Sequence, residues 1–157
     1  MHPDDWLLLC RTVRFGDTDA AGVMHFARLL SWCHEAYEES LERFGLVATE
    51  IFPTPMPALD QPSALPLTVA LPIVHCSADF RRPLVCGDPL TIALTPRRLD
   101  PGSFEVSYRF NTGDQPAATG LTRHLAIDSR SRQRCPLPAP IHRWLEASSL
   151  GGGVQPL

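Results

Sequence analysis

Two aspartates, Asp17 and Asp19, share the segment Gly16-Asp17-Thr18-Asp19-Ala20-Ala21-Gly22, which lies between a strand-like run and a long helical pattern. A carboxylate placed there can face a cleft, where it attacks an electrophilic carbon or takes a proton from water. The following helix adds a second resource. N–H groups of a first helical turn lack intrahelical acceptors, and the helix dipole is positive there. Backbone N–H groups near Val23, Met24 and His25 can therefore hold a developing anion, and Gly22 allows a ligand close to the backbone. The same residues also fit a plain capped helix entry, since Asp and Gly cluster at turns. Asp19 reads as the residue that caps or braces the turn.

Other chemistries find little support. All 14 basic residues are Arg, so a Schiff-base or P-loop lysine is ruled out. The five cysteines, at 10, 33, 76, 86 and 135, show no CxxC pair and are expected to be reduced, mostly buried thiols. His34-Glu35 and His75 fit no metal-ligand spacing, so no metal and no cofactor are expected. A net charge of -3 argues against a dedicated nucleic-acid binder. No run approaches the roughly 20 apolar residues needed to cross a bilayer, and no cleavable signal is seen. The chain reads as cytoplasmic.

The 157 residues suit one domain over 1–150, with a flexible tail from 151 to 157. Trp6–Phe15 reads as a strand entering the core. Phe26, Leu29, Leu30, Cys33, Tyr37, Leu41 and Phe44 form a stripe at spacings of three or four. That predicts a helix of about 20 residues, capped by Thr18 or Asp19 and stopped by Gly45. Five prolines make Ile51–Pro66 an irregular connection. Four strands are predicted over Leu67–Phe80, Pro89–Leu99, Ser103–Asn111 and Ala117–Asp128, paired antiparallel because the links are short. Ile141–Ala147 closes with a short helix. The class is α+β: one helix covered by a five-stranded antiparallel sheet whose open edges call for a second copy.

Val13-Arg14-Phe15-Gly16-Asp17-Thr18-Asp19-Ala20-Ala21-Gly22-Val23-Met24 resembles the signature of the 4-hydroxybenzoyl-CoA thioesterase-like branch of the hot-dog superfamily. Phe80-Arg81-Arg82-Pro83 through Gly87-Asp88 and Thr122–Asp128 agree with it, in order along the chain. Three further segments, Leu30–Glu38, Pro72–Cys76 and Ser131–Pro138, look like the cyanobacterial 1,4-dihydroxy-2-naphthoyl-CoA hydrolases of phylloquinone synthesis. The resemblance implies a sheet wrapped around the helix, a homodimer or dimer-of-dimers tetramer, active sites between protomers and an acyl-CoA substrate. It implies Asp17 as the essential carboxylate, with nucleophilic and general-base roles both open. Thiolate leaves readily, so a general acid is less needed. The family often has an aromatic residue where His25 stands and a His one place later, so no catalytic histidine is carried over. His25 is instead a candidate for the acyl pocket. Arg97, Arg98, Arg130 and Arg132 are candidates for the CoA phosphates or for an ordinary solvated face. Arg81 and Arg82 read as serving the turn or an oligomer interface.

Overall fold

A computed structural model describes residues 1–51 and 69–150. The irregular connection beyond Ile51 and the tail from 151 lie outside the described residues. The chain opens with a helical turn, α1 (Asp4–Leu7), where a strand was expected. Asp4 and Asp5 complement the dipole of that turn, and Trp6 is drawn into the core. Its indole N–H donates to Ser148 Oγ at 3.0 Å and its ring packs on Phe44. Strand β1 (Leu8–Thr12) is therefore shorter than expected, and a 3₁₀ turn, Phe15–Asp17, follows.

Helix α2 (Phe26–Phe44) matches the predicted stripe: Leu29, Cys33, Tyr37 and Leu41 are buried, joined by Trp32, Ala36 and Ser40. Phe26 departs from it: it is 68% exposed and lines a surface cleft with Phe80 and Leu84. Gly45 ends the helix at φ +106, a left-handed conformation that favours glycine. Short elements α3 (Ala48–Ile51) and β2 (Val69–Ala70) precede β3 (Ile73–Phe80). The expected continuous strand up to Phe80 breaks between them at Pro72, which has no N–H for a ladder. Strands β4 (Pro89–Asp100), β5 (Ser103–Thr112) and β6 (Gln115–Leu125) follow, then β7 (Ile127–Asp128) and helix α4 (Ala139–Ser149). β7 separates from β6 because it pairs with β2.

The main sheet runs β1-β4-β5-β6-β3, antiparallel throughout, with β1 and β3 at its edges. It wraps α2. Helix and sheet approach closely at Gly120 on β6, where an added Cβ would lie 2.6 Å from Cys33 Sγ. Burial pushes the Cys33 thiol up to about 12. Only Cys33 is fully buried; Cys10 and Cys76 lie exposed on the two edge strands and Cys86 in a loop, which corrects the expectation of mostly buried thiols.

Between helix and sheet runs a polar chain. Tyr108 Oη lies 2.9 Å from Thr122 Oγ1, which lies 2.8 Å from His124 Nε2. The His124 ring stacks on Phe104 at 4.6 Å. Burial first, and then the nearby His34, lower His124 from 6.5 to about 4. An unfolded chain therefore binds a proton that the native state refuses between those values. Stability falls as pH drops through that window, by about 2–3 kcal/mol at pH 4.5. Urea titrations at pH 7 and pH 4.5 should show this loss. His124→Gln should show a smaller one, because carboxylate titrations persist in both proteins; an unchanged pH slope would rule out His124 as its source.

Candidate active site

The loop before α2 is a small ladder of its own. Asp19 N–H donates to Val23 O at 2.9 Å, His25 N–H to Asp17 O at 2.8 Å, and Gly22 N–H to Asp19 O at 3.0 Å. Gly22, at the turn tip, takes φ +80. Met24 N–H donates to Leu84 O at 2.7 Å. The N–H groups of Met24 and His25 are thus already used, which corrects their expected role as anion donors. The Phe26 N–H, first of the helix, has no acceptor among the described residues. The cap is neither Thr18 nor Asp19 but His25, whose Nδ1 accepts from Ala27 N–H at 3.2 Å. Thr18 Oγ1 donates to Phe15 O instead.

The two aspartates have different surroundings. Asp17 is 8% exposed and both its oxygens are engaged. Oδ1 accepts from Arg28 Nε at 2.7 Å, and Oδ2 accepts from Arg14 N–H at 2.8 Å. Its neighbours are Cys10, Arg11, Thr12 and Glu35, a polar recess. Asp19 is exposed. Its Oδ1 accepts from Ala21 N–H at 2.8 Å, and its other oxygen has no partner among the described residues. Asp17 thus faces a recess, as expected, but with both oxygens already hydrogen-bonded, and its carboxylate ties the 3₁₀ turn to α2. Arg28, absent from the sequence candidates, stands eleven residues after Asp17 in the first turn of α2, a separation that carries no signal in the sequence.

Asp19 opens onto a cleft of about 420 Å³ lined by Val23, Met24, Phe26, Phe80 and Leu84. Arg81 and Arg82 form its charged rim. Arg82 Nη2 donates to Gln115 Oε1 at 3.1 Å, while Arg81 has no acidic partner among the described residues. His25 is not part of this lining; it stacks on Phe26 at 4.5 Å. The Arg candidates lie elsewhere within one chain. Arg97 reaches Glu105 Oε1, a contact that holds the Glu105 carboxyl below its usual range together with Arg123. Arg98 Nε donates to Asp100 O at 3.2 Å, at the end of β4 remote from the cleft. Arg130 lies in a turn whose N–H groups bond Asp128 Oδ1. Arg132, at φ +63, lines a second cavity. Among the described residues, no group of three or more His, Cys, Asp or Glu is placed to hold a metal ion. No described helix is long and apolar enough to cross a membrane.

An acid beside an open helix N-terminus in an apolar cleft suits attack on an activated acyl group. Comparison with known proteins agrees. A relative from Prochlorococcus marinus (strain MIT 9303), named 1,4-dihydroxy-2-naphthoyl-CoA hydrolase, is 57% identical over 96% of this chain and 97% of its own length. One of the same name from Synechococcus sp. (strain CC9311) is 59% identical over 94% of each chain. A solved 1,4-dihydroxy-2-naphthoyl-CoA thioesterase from Synechocystis superposes with a TM-score of 0.75 at 32% identity, covering 88% of this chain and 94% of that one. Residues 13–145 match the model of the thioesterase-like superfamily. With its five-stranded antiparallel sheet wrapped around α2 in the hot-dog manner, this chain belongs to that superfamily.

Proposed function

We propose that the protein hydrolyses 1,4-dihydroxy-2-naphthoyl-CoA to the free acid and CoA, the thioester step of phylloquinone synthesis, in the cytoplasm. The observation that carries the chemistry is the free Asp19 oxygen on the same cleft as the open Phe26 N–H. Asp19 attacks the thioester carbon to give an acyl-Asp19 anhydride that water then opens, or takes a proton from the water that attacks the carbon directly. The Phe26 N–H and the dipole of α2 stabilise the oxyanion, and CoA leaves as thiolate. Asp17 is a positioning residue: its carbonyl holds His25 N–H and its carboxylate holds Arg28 on α2. Arg81 and Arg82 are the proposed phosphate contacts, in place of Arg97, Arg98, Arg130 and Arg132.

The working unit is a homodimer, and pairs of dimers make the tetramer that the family pattern implies. β3 supports the dimer. It is an edge strand, with Val74 55% and Phe80 49% exposed, so it offers unpaired backbone and apolar side chains together.

Thiol release from a panel of CoA esters tests the reading. The naphthoyl ester should exceed benzoyl and butyryl esters by about 10² or more in kcat/KM. Equal rates would reject the acyl assignment, and binding without release would make the protein a carrier of acyl-CoA instead.

A further inference from the structure

A second cavity, of about 710 Å³, lies at the start of β3, lined by Leu71, Pro72 and Ile73, by His34 and Glu38 of α2, and by Arg132. The Asp19 cleft lies at the other end of the same strand, beside Phe80. Eight residues of strand separate the ends by about 23 Å, so in one chain the two hollows are distinct. Each is walled by α2, through Phe26 in one and His34 and Glu38 in the other, so both open on the helix side of the sheet.

Antiparallel pairing of β3 with its copy, about a two-fold axis normal to the sheet and centred on the strand, would set Ile73 opposite Phe80 of the partner subunit. Paired residues lie about 5 Å apart, and both helices stay on one side. The start of one strand then meets the end of the other, and each cavity joins the other chain's cleft. Both hollows carry charged groups of either sign, Asp19, Arg81 and Arg82 in one and Glu38 and Arg132 in the other. The walls match as well. Both are largely apolar, with Leu71, Pro72 and Ile73 in one and Val23, Met24 and Phe26 in the other, as an aromatic acyl ring requires.

Within the cavity, His34 Nε2 lies 3.0 Å from Glu38 Oε1, one helical turn apart. Both side chains are about half exposed, at 51% and 48%, so the carboxylate keeps accepting capacity. We infer that Glu38, oriented by His34, enters the partner subunit's cleft and accepts a hydrogen bond from a phenolic hydroxyl of the acyl ring. Glu38 is then a specificity-determining residue for hydroxylated aromatic acyl groups. This rests on the thioesterase reading above. The reacting carbon is left to Asp19.

The test compares 1,4-dihydroxy-2-naphthoyl-CoA with 2-naphthoyl-CoA, which lacks the hydroxyls. Glu38→Gln should lower kcat/KM for the first by about 10–10² and leave the second within about twofold. His34→Gln should show the same pattern more weakly. Equal losses on both esters, as a general base would give, or no loss on either, would overturn the assignment. A mixed dimer settles which chain supplies the group. One protomer carries Asp19→Asn and the other Glu38→Gln, and the heterodimer is isolated through two tags. Supply across the interface leaves one intact site and about half of wild-type turnover per dimer. Supply within one chain gives only about half of the Glu38→Gln rate, and that result rejects the inference. If the unmodified protein releases no thiol from either ester, the thioesterase reading itself fails and takes this one with it.

Discussion

Asp19→Asn is expected to lower kcat by about 10²–10⁴ while melting temperature and oligomeric state stay as they were. The reasoning starts from what Asn keeps. Its carbonyl oxygen can still accept the Ala21 N–H that Asp19 Oδ1 accepts at 2.8 Å, so the turn survives. What it loses is the anionic oxygen that has no partner among the described residues. Neither attack on carbon nor proton removal from water is open to an amide at neutral pH. KM should change little, because the acyl walls and the Arg rim are untouched. Measured kcat on the naphthoyl ester, alongside a thermal melt, decides the point. Near-native turnover would remove Asp19 from the chemistry.

Asp17→Ala should act on a different property. It strips acceptors from Arg28 Nε and Arg14 N–H, both within 2.8 Å of the carboxylate. Breaking a fully buried pair costs about 3–5 kcal/mol, and Arg28 escapes part of that because its side chain is 39% exposed. A loss of about 2–3 kcal/mol follows, or about 5–10 °C in Tm for a domain of this size. Activity should fall modestly, through a loosened loop. A melt that does not move, combined with abolished turnover, would return the reactive role to Asp17.

The exchange of roles between the two acids shows where a sequence stops being readable. The Gly16–Gly22 segment marks itself as a turn before a helix, and its chemistry is legible from residue types alone. Which acid stays free depends on Arg28 reaching back across the helix start, and that contact exists only after folding. The span of α2 is visible because apolar side chains recur every three or four positions. The exposure of Phe26 is not, since the pattern cannot say which residue of the stripe lines a cleft instead of the core. The β4–β5 and β5–β6 pairings follow from the turns at Gly102 and Gly113. The turn at Gly87 joins β3 to β4, which do not pair: β3 lies beside β6 at the far edge, which corrects the expectation that short links make all four strands neighbours. The break at Pro72 had to compete with a run of strand-forming neighbours. Arg81 was legible as a cation beside a turn. Its place on the cleft rim depends on how β3 aligns with the tip of α2, a matter of three-dimensional register.

Gly120 and Cys33 carry a consequence for how this lineage can drift. With Cys33 Sγ only 2.6 Å from where a Cβ at 120 would stand, the two sites act as a key and its ward. The thiol has a single side-chain torsion with which to yield, and a helix restricts that torsion. Inheritance is therefore coupled here: anything larger than glycine at 120 requires the Cys33 thiol to turn away or a smaller residue to take its place.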